Sequence, residues 1–273
     1  MMCVPIATPD VREPAAPRII VAGDWHGDTR WAARVLDAAA DGGHDTVVQL
    51  GDFGFWPGAE GAAYLATLSE IAGERGLQLI VIDGNHDDHH QLRRWAADAA
   101  HRTPSGFVRT APNVWWATRG LRWSWHGRRL GALGGAFSID HRFRTPGQSW
   151  WPEEEVIDAD VERLGDAPID ILFTHEAPSA SPVVSMFSLR AADHARASEG
   201  RARIDEAVEA TRPSLVLHGH WHQRVTGLLT GGAGGRPGIV EGLAENGSAG
   251  NVVEVDLIAA TVSIAVRGRN GAS

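Results

Sequence analysis

The chain is poor in several residue types, and each shortage excludes a class of protein. A single cysteine, Cys3, in 273 residues cannot form an intramolecular disulfide, and it favours a reducing compartment. No apolar run approaches the roughly 20 residues that a membrane-spanning helix needs. Residues 1–17 also lack the apolar segment of a signal peptide. We therefore expect a cytoplasmic protein that does not enter a membrane.

Positive charge is also in short supply. Arginine and lysine together number 25 against 34 acidic residues, which gives a formal net charge of −9. A broad basic face for nucleic acid is therefore not expected, although a local basic patch remains open. The hydrophobic share of 43% is ordinary for a globular protein that buries a substantial core.

Short apolar runs alternate with helical patterns, and this alternation predicts an α/β architecture. The expected strands cover residues 18–24, 46–52, 77–83, 129–136, 169–175 and 214–220, with a terminal hairpin over 251–257 and 261–266. The expected helices cover residues 28–40, 59–75, 153–164 and 188–211.

We predict a single domain, because no internal repeat is visible. Residues 1–17 contain four prolines and are expected to form a flexible tail. The domain is expected over residues 18–268, followed by a short tail over 269–273. The glycine-rich segment 230–238 is expected to be a loop within this domain rather than a linker.

Polar residues of the kinds that bind metals follow five of the apolar runs. Carboxyl ends of strands meet at one edge of an α/β sheet, so these residues can converge. Carboxylates, neutral imidazoles and an amide oxygen suit Mn, Fe or Zn. Asp52, in the middle of the set, is a natural shared ligand for two ions about 3.5–4 Å apart. The residues are Asp24, His26, Asp52, Asn85, His86, Asp87, His175, His220 and His222.

The ordered motifs GDWHG, GD, GNHD, a single H and GHWH, over residues 23–222, resemble the calcineurin-like metallophosphoesterase superfamily. This resemblance implies two packed mixed β-sheets flanked by helices, with a dinuclear metal centre at one edge. The first ion would be held by Asp24, His26, Asp52 and His222. The second ion would be held by Asp52, Asn85, His175 and His220.

The resemblance also implies a chemistry, the hydrolysis of phosphate esters by a metal-bridging water or hydroxide without a covalent intermediate. Asn85 and His86 are expected to contact the scissile phosphate, and His86 to stabilise it or to protonate the leaving group. Asp87 is expected to orient the His86 imidazole and to raise its pKa. His218 has no counterpart in the motifs and is expected at the strand end or behind the ligands.

Two departures from the sequence pattern of the family's Ser/Thr protein phosphatases narrow the range of expected substrates. Phe53 follows Asp52 where those enzymes carry an arginine, and Asp87 stands where they carry a glutamate. A standard protein phosphatase is therefore not expected. Arg142 and Arg144 are candidates for phosphate binding, because a planar guanidinium can make two hydrogen bonds to a phosphoryl group; the alternative places both on a surface loop.

Some patterns keep two interpretations. His89 and His90 fit a helix start better than a third metal site. A group of arginines and tryptophans fits either a face for single-stranded nucleic acid or hairpins with tryptophan in the core. The group consists of Arg119, Arg122, Arg128, Arg129, Trp115, Trp116, Trp123 and Trp125.

The metal-ligand pattern itself also fits more than one class of protein. A phosphodiesterase or nuclease would use the same ligands, and a binding scaffold would have lost some of them. A structural zinc protein is excluded, since one cysteine cannot supply cysteine-rich ligation. The motifs do not distinguish monoesters from diesters.

Overall fold

The computed structural model describes residues 10–230 and 237–264. The helices are α1 (Thr29–Asp41), α2 (Gly58–Glu74), α3 (His89–Ala97), α4 (Asp158–Leu164) and α5 (Ala191–Thr211). The strands are β1 (Arg18–Ala22), β2 (Thr46–Gln49), β3 (Gln78–Val81), β4 (Val108–Ala111), β5 (Val114–Trp116), β6 (Arg122–Trp125), β7 (Arg128–Leu133), β8 (Ile171–Thr174), β9 (Leu215–His218), β10 (Val225–Leu229), β11 (Gly238–Gly242), β12 (Val252–Asp256) and β13 (Thr261–Ile264).

Within the described residues the strands form two mixed sheets. The seven-stranded sheet has the order β13-β12-β1-β2-β3-β5-β4, and the six-stranded sheet has the order β10-β11-β9-β8-β7-β6. Neighbouring strands β1, β2 and β3 are parallel in the first sheet, as are β7, β8, β9 and β11 in the second. The predicted α/β class is confirmed, and so are the two packed mixed sheets that the resemblance implied.

The core has three layers because both sheets carry apolar residues on each face. Side chains such as Val48, Ile80 and Phe173 fill the space between the sheets. Helices α1 and α2 cover the outer face of the larger sheet with residues such as Leu36 and Leu68. Helices α4 and α5 cover the outer face of the smaller one. The chain crosses between the sheets more than once, which supports our proposal of one domain over residues 18–268.

The described part of the expected N-terminal tail contacts the domain. Arg12 donates from its backbone N–H to Oε1 of Gln78 (3.1 Å), and Ser105 donates from its backbone N–H to Oδ2 of Asp10 (2.9 Å). Val11 packs against the core between the sheets. Residues 1–9 of that tail, 231–236 of the glycine-rich segment, 265–268 at the end of the expected domain and the 269–273 tail lie outside the described residues.

The prediction of a helix over residues 153–164 is wrong for its first five residues. Pro152–Glu154 forms a single 3-10 turn, and α4 begins only at Asp158. The reason is Glu154, whose side chain is buried and accepts hydrogen bonds from the backbone N–H (2.7 Å) and hydroxyl (2.8 Å) of Ser138. The backbone carbonyls of Glu154 and Glu155 also accept from Ala136 and Arg119 rather than from helical N–H groups, and Glu155 is extended.

The segment rich in arginine and tryptophan forms hairpins rather than an open basic face. Strands β4 and β5 pair antiparallel, as do β6 and β7. Trp115, Trp116 and Trp125 are buried. Arg119 is buried as well, and it donates to Asp83 (2.8 Å) and to backbone carbonyls. The expectation that the arginines lie outside is therefore wrong for Arg119, whose charge is balanced by carboxylates.

Two further findings bear on the sequence predictions. Helix α3 begins at His89, which is buried with Nε2 at 2.9 Å from the carbonyl oxygen of Gly84, so His89 marks a helix start. No helix among the described residues has the length and apolarity to span a membrane.

Candidate metal centre

Parallel strands deliver the candidate ligands to one region. Asp24 lies two residues beyond β1, Asp52 three beyond β2 and Asn85 four beyond β3. From the second sheet, His175 directly follows β8, and His220 lies two residues beyond β9. Because both sheets end at this place, side chains from either sheet meet there.

The first group consists of Asp24, His26, Asp52 and His222. Each offers a donor atom, and these atoms all lie within 4.8 Å of one another. Nε2 of His26 is 3.6 Å from Oδ2 of Asp52 and 3.9 Å from Oδ2 of Asp24. Nε2 of His222 is 3.0 Å from the same Asp24 oxygen. The group therefore has the size and the donor atoms of a site for one cation.

The second group adjoins the first through Asp52. Oδ1 of Asp52 lies 3.4 Å from Nε2 of His175, and this nitrogen lies 3.0 Å from Oδ1 of Asn85. The His220 ring lies beside the His175 ring, with 5.1 Å between centroids. The two oxygens of the Asp52 carboxylate thus face different histidines, His26 on one side and His175 on the other.

Hydrogen bonds select which ring nitrogen of three histidines faces the centre. Nδ1 of His175 donates to the carbonyl oxygen of Leu50 (2.6 Å), and Nδ1 of His26 donates to Oδ1 of Asn246 (3.0 Å). Nδ1 of His222 lies 3.2 Å from a carboxylate oxygen of Glu245, which can only accept. Nε2 of each ring is therefore the nitrogen directed at the carboxylates, as in many metal sites where an outer acceptor fixes the tautomer.

The electrostatics of the centre favour a bound cation. Burial lowers the pKa of His26, but hydrogen bonding and charge from Asp52 and Asp24 outweigh it and raise the pKa to about 10. Burial raises the pKa of Asp52, but His86, His175 and His26 hold it well below its usual value. The buried carboxylates thus favour positive charge on the facing imidazoles, and a divalent cation bound between them can supply that charge instead.

The residues present fit a metal on a second ground. Oδ2 of Asp24 is buried and accepts no hydrogen bond from a described residue, although Nε2 of His222 lies near it. A buried carboxylate oxygen without a donor is costly, and a metal ion satisfies it. Oxygen and imidazole nitrogen donors suit Mn, Fe and Zn alike.

Backbone strain also concentrates here. His26, Asp52, His220 and His222 all have positive φ, between 45° and 65°. Residues other than glycine rarely adopt this conformation, and such strain gathers at functional sites. Four of the eight described non-glycine residues with positive φ are therefore candidate ligands of this centre.

His86 and Arg144 stand at the rim of the centre. Nε2 of His86 lies 3.7 Å from Oδ2 of Asp52 and 3.1 Å from Nη2 of Arg144. Burial and the charge of Arg144 outweigh the pull of Asp52 and lower the pKa of His86 to about 4. The expected rise in the pKa of this imidazole is therefore not what the structure gives.

The two candidate arginines have separate positions. Arg144 donates from Nε to Asp140 (2.8 Å) and lines a cavity together with His26, His86 and His222. Arg142 points elsewhere, with Nη2 at 3.1 Å from Oδ1 of Asp193. The structure thus brings Arg144 to the centre and leaves Arg142 outside it.

Asp87 has a different position from the one expected. Its buried carboxylate accepts backbone N–H donors from Gly84 (2.8 Å), Gly54 and Phe55 (both 3.0 Å). Burial and the nearby charge of Asp52 raise the pKa of Asp87 to about 6. The contacts made by Asp87 in the described structure hold the loops after β2 and β3 together, and none of them is to the imidazole of His86.

His218 lies behind the ligands, as expected of a strand-end residue. It is buried, its Nδ1 donates to the carbonyl oxygen of Gly219 (2.9 Å), and its Nε2 lies 2.7 Å from the hydroxyl of Ser181. Glu176 is buried close by, with one oxygen accepting from Nε1 of Trp221 (2.8 Å) and the other 3.7 Å from Nε2 of His220.

The sequence reasoning missed the residues that orient the ligands. Ser138 accepts from Nδ2 of Asn85 (2.9 Å), so the amide oxygen of Asn85 turns toward His175, and Ser138 is held in turn by Glu154. Glu245 and Asn246 follow β11. The rule that ligands follow strands would have found this pair if β11 had been recognised, whereas no signal in the sequence marked Glu154.

The comparisons with known proteins agree with this geometry. Residues 17–224 match the model of the calcineurin-like phosphoesterase family. The fold and a group of aspartates and histidines that could hold a metal are consistent with this match, and the chain belongs to the calcineurin-like phosphoesterase family. Membership of this family indicates a hydrolase of phosphate esters.

Solved structures show the same fold at low identity. The crystal structure of TT1561 of Thermus thermophilus aligns with a TM-score of 0.56 at 16% identity, covering 90% of this chain and 96% of that one. A second crystal structure aligns with a TM-score of 0.56 at 14% identity, covering 90% and 97%. At these identities the likeness concerns the fold alone. No curated protein matches the sequence.

Proposed function

We propose that the chain hydrolyses phosphate esters with two divalent cations, Mn, Fe or Zn, and that it works in the cytoplasm. The observation that carries the proposal is the Asp52 carboxylate, whose two oxygens face His26 and His175 at 3.6 and 3.4 Å. A carboxylate between two groups of ligands suits a shared ligand of a metal pair. The single cysteine fits a reducing compartment.

In this proposal the first cation is held by Asp24, His26, Asp52 and His222, and the second by Asp52, Asn85, His175 and His220. Bound cations would neutralise phosphoryl charge and make a water molecule acidic enough to attack phosphorus near neutral pH. Leu50, Asn246 and Glu245 keep the imidazoles in the tautomer that presents Nε2, and Ser138 keeps the Asn85 oxygen turned inward.

The rim residues would act on the ester itself. The Arg144 guanidinium would bind phosphoryl oxygens, since its planar donors match them. Nε2 of His86 faces the same space. The negative charge of a bound phosphoryl group would raise the pKa of this imidazole from about 4, so that it could hydrogen-bond the phosphoryl group or deliver a proton to the leaving oxygen. Asp87 would contribute by fixing the loops that carry Asp52 and His86.

A phosphodiesterase is the second candidate function, and one observation favours it. His86 and His222 line two cavities, one of about 610 Å³ beside Arg144 and another of about 480 Å³ beside Phe187. A phosphoryl group between these cavities would have room for an organic group on each side, as a diester requires.

The test compares para-nitrophenyl phosphate with bis-para-nitrophenyl phosphate, using protein stripped of metal and reconstituted with Mn. We expect metal-dependent turnover, and the better substrate identifies the ester type. Asp52→Ala should remove both metals and the activity, because both groups share this carboxylate. His90→Ala, an exposed change four residues beyond His86, is the matched control. Two metals per chain in Asp52→Ala would refute the shared-ligand assignment.

A further inference from the structure

Exposed apolar side chains are concentrated on one side of the candidate metal centre. Seven large apolar side chains are exposed in the described part of the chain, and four of them line the cavity of about 480 Å³. These four are Phe143, Val184, Met186 and Phe187, with exposures from 64% to 93%. Apolar groups gathered in solvent at one place mark a binding surface.

This cavity is continuous with the centre. Asp52, Asn85, His86 and His220 also line it, so a group bonded to a phosphoryl at Asp52 extends directly between the apolar side chains. Its volume lies within the roughly 300–1,000 Å³ of pockets that hold small molecules. Because the cavity opens onto the proposed phosphoryl site, its occupant is expected to be part of the substrate.

The charges of the cavity disfavour an anionic occupant. Its described lining contains the carboxylates of Asp52, Asp140 and Glu176 and no arginine, and the chain has no lysine at all. Arg144 lines the cavity on the other side of His86. Arg144 pairs with Asp140 (2.8 Å), whereas Glu176 has no arginine partner among the described contacts. A second phosphate or a carboxylate placed here would therefore meet the charge of Glu176.

The apolar loop is tied to the metal centre. Gln223, the residue after His222, donates from its side chain to the carbonyl oxygen of Val184 (2.7 Å) and accepts from the backbone N–H of the same residue (3.0 Å). The Ser185 hydroxyl donates to the carbonyl oxygen of Phe187 (2.9 Å). These contacts hold the loop over the cavity.

We infer that this cavity binds the organic part of the ester and that this part is an uncharged, apolar group such as an alkyl chain or an aromatic ring. The inference rests on the proposed phosphoester hydrolysis, which places the phosphoryl group at Asp52. It names the substrate class as esters that join one phosphoryl group to an apolar alcohol or phenol, in contrast to polyphosphates and nucleic-acid strands.

The test uses n-alkylphosphonates from ethyl to octyl as competitive inhibitors of the Mn-reconstituted protein hydrolysing a para-nitrophenyl ester. The phosphonate group stays constant along the series, so its interaction with metal cancels. We expect the inhibition constant to fall about fourfold for each methylene added, as burial of apolar surface predicts. 2-Carboxyethylphosphonate should bind about tenfold more weakly than propylphosphonate because its carboxylate meets Glu176.

The double variant Met186→Ser with Phe187→Ser should flatten the dependence on chain length. Leu228→Ser is the matched control, because Leu228 is 69% exposed on β10 and does not line the cavity. This control should keep the slope of the unchanged protein.

Each other outcome is decisive. Active protein with a flat alkyl series overturns the inference while the proposed function stands. If neither nitrophenyl ester is hydrolysed in a metal-dependent way, the proposed function is refuted and the inference is refuted with it. A flat series together with a dimer that dissociates in the double variant shows that the apolar surface binds a second copy of the chain, which also overturns the inference.

Discussion

Two arginines that are separated by one residue differ in what their guanidinium groups contact. Arg144 lies 3.1 Å from Nε2 of His86, whereas Arg142 is paired with Asp193. We expect Arg144→Gln to lower kcat/KM for the nitrophenyl ester by about tenfold to a hundredfold, as loss of a charged hydrogen bond would. Arg142→Gln should leave kcat/KM within about twofold. Equal losses in steady-state assays of the two variants would contradict a role for Arg144 at the phosphate.

The protonation state of Glu154 affects the free energy of unfolding. Burial raises its pKa to about 8, despite the hydrogen bonds from Ser138, whereas an ordinary glutamate has a pKa near 4.3. Between these values the folded state holds a proton that the unfolded state has released, so the free energy of unfolding falls as pH rises from about 4.5 to about 8.

We therefore expect Glu154→Gln to reduce the stability difference between pH 5 and pH 8, by an amount on the order of a few kcal/mol. Urea unfolding at both pH values with a chelator present measures it. Glu162→Gln, an exposed change on α4, should leave the difference unchanged. A pH dependence that is identical in both variants would show that Glu154 is ionised when folded.

At the scale of the elements, the loops after β2 and β3 pack too closely to accept a side chain between them. A Cβ on Gly84 would overlap the backbone nitrogen and Oδ1 of Asp52. Gly84→Ala should therefore move Asp52 away from Asn85, lower the metal content to below half of the normal value and reduce the melting temperature.

The matched control is Gly200→Ala in α5, where an added Cβ would lie 3.8 Å from its nearest neighbour, Glu176. Alanine in a helix interior should stabilise the protein by up to about 1 kcal/mol. Metal analysis and thermal unfolding measure both variants. Full metal content in Gly84→Ala would show that the loops can separate without losing the centre.

The elements that carry the centre were predictable because they are short, continuous apolar runs. β1, β2, β3, β8 and β9 all lie inside the predicted ranges, and the polar residues after them mark the site. The predicted strand ranges do not include β4, β5, β6, β10 or β11. Strands β4 and β10 alternate in exposure, β5 and β6 lie in the arginine- and tryptophan-rich segment that kept two interpretations, and β11 begins at Gly238, the last residue of the segment expected to be a loop. Glu245 and Asn246, which follow β11, were therefore missed with it.

Contacts between distant residues are harder to predict from a sequence than local secondary structure. The apolar runs predicted α/β architecture, but the two-sheet arrangement came from resemblance, because strand order depends on contacts between distant residues. The buried position of Arg119 was missed for the same reason, as its partner Asp83 lies 36 positions away.

For the whole molecule, the centre joins the two sheets. Asp24, Asp52 and Asn85 follow strands of the larger sheet, and His175 and His220 follow strands of the smaller one. A bound metal should therefore resist separation of the sheets. At a hundredfold excess over the dissociation constant it should add about 2.7 kcal/mol to the free energy of unfolding.

We expect Mn to raise the melting temperature by about 5 °C or more over the chelator-treated protein. Asp52→Asn should abolish this rise, because it weakens both groups of ligands. Thermal unfolding with Mn and with chelator measures the shift. An unchanged melting temperature in protein with bound Mn would mean that the metal binds the folded and unfolded states equally.

The left-handed backbone at His26, Asp52, His220 and His222 sets a direction for evolutionary drift. Each such residue costs about 1–2 kcal/mol relative to a conformation it prefers, and glycine largely avoids this cost. In a lineage that no longer used the centre, substitution to glycine at these positions would make the protein more stable. Backbone stability and the proposed ligand role therefore oppose each other at these four positions.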